Sequence, residues 1–274
     1  MSAPMESSVA NSLAASSARR AATSRLTQTH FPRWAIPAGH LLLLWHCLRR
    51  IALLRNSMVK LVFLRQVYFV GVQGSRAIVL LAIVVGALAV PGATQLLGAN
   101  HSYLYDILGW ALVTEAAPLF VALVVIGRSA SVISTELALM KVHGELRYLE
   151  QMRIDPRDYL ALPRIAALTA SLLVATFFYQ IISITGGFAV SALLLNVSFA
   201  EQMQLMMAAL SPTGIVLAGV KTVIFGLVIG TIACFAGLYA GDTVNDVPRA
   251  QIVGYMRSLV SLVLIDVIFA IATF

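Results

Sequence analysis

The chain has 274 residues, 59% of them hydrophobic and 11% charged, with a mean hydropathy of +0.88 and a formal net charge of +7. Soluble domains carry about 25% charged residues, so a soluble fold would lack the polar surface to cover its core, and the composition calls for an all-α integral membrane protein. The basic excess does not point to nucleic acid: ten of the 19 Lys and Arg residues precede residue 77 against one acid there, Glu6, as in flanks that meet anionic lipid on the cytoplasmic side.

Residues 1–38 are rich in Ser, Ala and Arg and read as a disordered cytoplasmic tail. A transit peptide shares that composition, whereas a secretory signal is excluded because no apolar stretch follows the early arginines. Residues 39–76 read as an interfacial segment leading into the membrane. Within it, His40 to Asn56 is too short and too charged to span, and places Arg49, Arg50 and Arg55 at headgroup level with Leu below. Residues 77–274 form the membrane domain. A bilayer core needs about 20 apolar residues per helix. Spans are expected near Ala77–Leu97, Ile107–Ile133 and Ile165–Leu195, with two more in Gly214–Phe274 split by the polar link Gly241–Gln251. The third stretch is longer than one span needs, which means tilt or a break at Gly186-Gly187. Five spans is the best count, and six follows if that stretch is a re-entrant pair. The links 98–106 and 196–213 hold no Lys or Arg. The N-terminus is therefore expected in the cytoplasm and the C-terminus outside.

Between the second and third spans lies the one dense mixed-charge segment, Gly144–Arg164, with Glu145, Glu150, Asp155, Asp158 and four arginines. Leu146, Leu149 and Met152 recur at three-residue spacing and give a single apolar stripe on a helix. Asp155 before Pro156 ends it, and Asp158 sits where the next helix begins, at its positive end. A short amphipathic helix of about 141–156, lying under the membrane, needs a groove to receive its stripe. That pattern suggests a transporter driven by a separate ATPase, although an ordinary solvated loop has the same charge content.

Ionisable groups inside spans are costly and face the protein interior. Glu115, Lys221 and Asp266 each lie about seven or eight residues from an outer end, which is ~10–13 Å deep at ~1.5 Å per residue. At one level they can satisfy one another. They serve either as a packing link or as the lining of a lipid cavity. Arg128, beside Ser129 and Ser131, reads as a structural link between the second span and the short helix, or as a snorkelling side chain. The rest of a lipid cavity needs only apolar area. No nucleophile motif and no metal-ligand spacing occur, and the five histidines are scattered. Neither catalytic nor metal-binding residues are expected. Without a phosphate-binding GxxxxGK[ST] loop, the chain is expected to hold no cofactor, with ATP and Mg on a partner. Cys47 and Cys234 read as free thiols.

The run Thr114–Arg164 closely resembles the MlaE/YrbE permease family, the membrane subunits of MCE-type ABC lipid transporters. The resemblance rests on Glu115-Ala-Ala-Pro118, Gly127-Arg128-Ser129-Ala130, Thr135-Glu136-Leu137-Ala138-Leu139-Met140 and Glu150-Gln151-Met152-Arg153-Ile154-Asp155-Pro156, with weaker patches at Arg65–Val72 and Lys221–Gly230. It departs at Thr114, where the family often has Arg, at His143-Gly144-Glu145 in place of Thr-Glu-Gln, and at Val90-Pro91-Gly92 in place of a Gln-Gly step. The resemblance implies a homodimeric five-span permease of a bacterial inner membrane, with Glu145, Leu146, Leu149, Glu150, Met152, Asp155 and Pro156 coupling to an ABC ATPase. It also implies a STAS-domain protein on that ATPase, an MCE-domain ring on the periplasmic side, and phospholipid cargo that supports outer-membrane asymmetry. Sterol-like lipid cargo, a non-transporting scaffold and a lipid-modifying membrane enzyme are the other readings.

Overall fold

The computed structural model describes residues 36–50, 57–72, 74–97 and 102–273. The expected N-terminal tail lies outside them, apart from the start of helix Ile36–Arg49. The described residues from His40 onward form one compact unit.

Among the described residues there is no strand, and five helical stretches are long and apolar enough to cross a membrane: Val59–Leu97, Tyr103–Val142, Arg157–Leu195, Pro212–Leu238 and Asp246–Ala272. The protein is an all-α integral membrane protein. The spans overrun the sequence expectation at their basic-rich ends because helix continues past the apolar run. The first combines Ser57–Val67, a π-helical turn, Tyr68–Val72, and the long helix Ser75–Leu97.

The third span is one unbroken 34-residue α-helix, Leu162–Leu195, so Gly186-Gly187 is no break and the six-span alternative falls away. The glycine serves packing instead. A Cβ on Gly187 would lie 2.6 Å from the Gly86 carbonyl, and one on Gly86 would run into the Ser183 backbone. Small residues at a four-residue step on both helices let the first and third spans touch backbone to backbone, as small-xxx-small pairs do in bilayers. Between the first, second and third spans and the connecting helix Phe199–Ala209, a core of Val90, Leu104, Tyr105, Leu112, Phe188 and Met206 closes the basic-poor end. Gln202 Nε2 donates to Ser191 Oγ at 3.1 Å there. Near the opposite, basic-rich end, Ser134 Oγ lies 3.0 Å from Ala130 O and 3.1 Å from Ala233 O, at a crossing kept close by Gly237 and Gly254. The fifth span is the least covered, with 17% of its most apolar window buried.

The N-terminal helix buries Leu43 and Cys47 and leaves Leu41, Leu42 and Trp45 exposed. Its apolar exposed face and Arg49, which lies 4.5 Å over the Trp45 ring, suit the boundary between acyl chains and headgroups.

The short helix after the second span covers Glu145–Gln151 rather than about 141–156. Lys141 and Val142 belong to the preceding helix, which stops at His143. Gly144 then turns the chain at φ 80°, a left-handed conformation that glycine adopts without strain. At the other end Arg153 takes φ 60°, and Ile154 N–H reaches back to Leu149 O at 2.9 Å. That six-to-one closure ends helices and normally recruits glycine, so the helix stops before Met152. The expected stripe is split as a result. Leu146 is buried, whereas Met152 is 70% exposed.

Candidate functional site

Lys221, on the fourth span, is 1% exposed, and its Nζ lies 2.6 Å from Glu115 Oε2 of the second span and 2.7 Å from Asp266 Oδ1 of the fifth. The three residues picked out by depth do meet. The two carboxylates keep 20% and 23% of their side-chain surface open, so the cation is enclosed and the anions form the accessible edge. Two acids against one base leave a formal charge of −1 at membrane depth. The Phe225 ring, one turn along from Lys221, lies 5.9 Å from Nζ. Next to this cluster, towards the basic-poor end, a cleft of about 470 Å³ opens between the second and fourth spans, lined among others by Asp106, Trp110, Thr114, Gly214 and Leu217.

Glu115 owes its direction to an irregular stretch of helix. Gly109–Ala116 is π-helical, and Ala117 N–H reaches Leu112 O, five residues back. A π turn is rare and tends to occur at functional sites. Its cause is in the sequence: Pro118 has no N–H to give and its ring crowds the carbonyl four residues back. The carbonyl of Val113 is met by Gln180 Nε2 of the third span at 3.0 Å. Sequence reasoning passed over Gln180; the signal was a lone amide in the run FFYQIISITGG, where polar groups are costly without a partner.

Arg128 sits in a second π-helical stretch, Ile126–Ala130. Its Nη1 lies 3.6 Å from where a Cβ on Gly74 would stand, so its guanidinium reaches the turn that opens the first span's long helix. The helix Glu145–Gln151 was the partner expected for it. Arg164 was not singled out either. It is buried at 6% exposure and pairs with Glu136 at 3.4 Å.

At the basic-rich end, Leu146, Glu150, Asp155 and Pro156 line one groove of about 550 Å³ together with Arg153, Arg157 and Tyr239. Glu145, Leu149 and Met152 lie outside its lining. Glu145 is 4.0 Å from His143. Asp155 is already engaged: its Oδ1 accepts from Arg157 N–H at 2.9 Å, and its Oδ2 is 4.0 Å from His46. Arg157 Nη2 donates to the Tyr239 hydroxyl at 2.8 Å. Asp158 accepts from Arg50 and lies 2.8 Å from His46 Nε2, which clasps the N-terminal helix to the start of the third span. His46, Asp155 and Asp158 offer ligand atoms within 4.8 Å of one another, but Arg50 and the Arg157 amide already occupy their oxygens, so the trio reads as an ion-paired clasp. Burial, then the Asp158 and Asp155 carboxylates, push the nearby Cys47 thiol up to about 11. Cys47 and Cys234 are both free and buried.

A profile of the family described as permease MlaE matches residues 63–272. The chain belongs to the MlaE permease family. Membership places it among permeases rather than enzymes, the class expected from its sequence. It is 29% identical over 140 residues to a probable ABC transporter permease protein of Rickettsia prowazekii, covering 51% of this chain and 54% of that one. It is 31% identical over 174 residues to the chloroplastic protein TRIGALACTOSYLDIACYLGLYCEROL 1 of Arabidopsis thaliana, covering 62% and 48%. It is 28% identical over 189 residues to the intermembrane phospholipid transport system permease protein MlaE of Haemophilus influenzae, covering 68% and 72%. The chain thus spans about half the length of the first two of these relatives.

Proposed function

We propose that the chain is the permease subunit of an ATP-driven transporter that moves phospholipid between an inner and an outer membrane and so supports outer-membrane lipid asymmetry. The observation that carries this reading is the Lys221 cluster beside its cleft: a net −1 site at lipid depth whose carboxylate edge is open. A packing link alone would be served by one acid per lysine. An extra, part-exposed carboxylate provides a place for a zwitterionic headgroup to exchange water for a fixed partner. The tails need only the apolar walls. The name of the Haemophilus relative supports phospholipid as the cargo.

In this reading the groove lined by Glu150 receives an ABC ATPase that binds ATP and Mg and carries a STAS-domain protein. Two copies of the chain form a homodimer in a bacterial inner membrane, with the N-terminus cytoplasmic, the C-terminus periplasmic and an MCE-domain ring on the periplasmic face. Residues 77–274 make the permease domain and residues 39–76 lead from the interface into the membrane. Arg128 is a structural link.

The test is purification of the tagged chain from its native membrane in mild detergent, followed by mass spectrometry of bound proteins and lipids. An ATPase, an MCE protein and phospholipid are expected. A chain that emerges alone, or with sterol-like lipid only, overturns the corresponding part. Glu150→Lys is expected to reduce ATPase co-purification several-fold while the chain stays folded, and undiminished co-purification would sink the docking assignment. Asp155 is the poorer choice for this substitution because its carboxylate also holds the local turn.

A further inference from the structure

We propose that Gln180 is a positioning residue for Glu115, acting by holding the second span in its π register. The inference takes the importance of Glu115 from the proposed function, but the position it claims stands apart from that reading. In an α-helix the Val113 carbonyl would accept from Ala117 N–H, four residues on. Here Ala117 N–H goes to Leu112 O instead. Val113 O would then look to residue 118 for a π-type bond, and Pro118 has none to give. Left alone, that carbonyl would be bare and buried, and recapture of Ala117 N–H would be its simplest relief. Gln180 removes the incentive by donating from the third span at 3.0 Å. It is itself 6% exposed, so water does not compete for its amide.

The register matters because a π turn inserts one residue into the helical count, and each residue is about 100° of rotation. Collapse to an α register turns the stretch before Ala117 about its axis relative to the stretch after it. Glu115 and Thr114 lie inside the segment that turns. In the π register Glu115 meets Lys221 at 2.6 Å and Thr114 Oγ1 lies 3.4 Å from where a Cβ on Gly214 would stand. Gln180, on a span that contributes no charge to the cluster, therefore governs whether the second span presents its acid to the fourth.

That proximity supplies the test. In the full chain with Cys47→Ala and Cys234→Ala, the pair Thr114→Cys/Gly214→Cys places two thiols within disulfide reach. A control pair, Ser134→Cys/Gly254→Cys, has Cβ atoms 3.7 Å apart at a crossing far from the π segment. Both pairs are expected to oxidise readily in membranes. Adding Gln180→Met is expected to lower cross-linking of the first pair several-fold and leave the control pair unchanged. Loss of both pairs means the variant has not folded, and Gln180→Asn, the same amide one methylene short of Val113, then decides in its place. Undiminished cross-linking of the first pair with an intact control overturns the proposal. This result does not depend on any cargo or ATPase, so a failure here leaves the transporter reading standing, and the reverse.

Discussion

Lys221 is fully enclosed while its two acids are not, and this asymmetry sets what each substitution costs. Lys221→Met leaves two carboxylates near each other without a counter-charge. Removing one partner of a buried pair costs roughly 3–5 kcal/mol, and the open edges of Glu115 and Asp266 bring the expectation to about 3. Glu115→Gln leaves the lysine its Asp266 partner and loses one charge-assisted bond, about 1–3 kcal/mol. Thermal unfolding in detergent should therefore rank Lys221→Met clearly below Glu115→Gln. Equal melting points would mean that the second acid carries no share of the lysine. The three residue types were legible in the sequence because ionisable groups in apolar runs are rare and their distances from the span ends matched. Gln180 was not: an amide looks neutral in a charge count, and only a missing N–H 62 positions earlier on another helix gives it a task.

At the scale of elements, helix existence was plain from apolar length, while helix ends were set by single backbone events. Gly144 and Arg153 in left-handed conformations cut the short helix to seven residues, and three-residue spacing alone could not foresee a closure with arginine where glycine is usual. The clasp of His46 and Arg50 on Asp158 was equally hidden, since it joins residues more than a hundred positions apart. It yields a direct expectation. Asp158→Asn removes the charge that holds the N-terminal helix, and hydrogen exchange of amides in Leu43–Arg49 should quicken several-fold while the third span keeps its protection. The global melting point should move little, because such partly exposed pairs contribute about 1 kcal/mol or less. Unaltered exchange in that helix would show that Leu43 and Cys47 alone anchor it.

For the whole molecule, basic residues gather at one end of the bundle and are missing from the links at the other. With both native cysteines replaced by alanine, Asp242→Cys should react with a membrane-impermeant maleimide only from the cytoplasmic side, and Ala200→Cys only from outside. Exchanged labelling of the two would reverse the orientation, and labelling of both from one face would rule out Pro212–Leu238 as a span between them. The span count followed from composition, whereas the continuity of the third span depended on seeing that Gly187 faces Gly86. The shared lysine has one more consequence, for biogenesis. The ribosome makes Glu115 first, Lys221 next and Asp266 last. The lysine is thus translated after one of its counter-ions and before the other, and the helix that carries Asp266 brings the acid that takes the cluster to its formal charge of −1. The least covered span of the bundle is thus tied to the fourth by charge, and a chain stopped before Asp266 would lack the helix that completes the cluster.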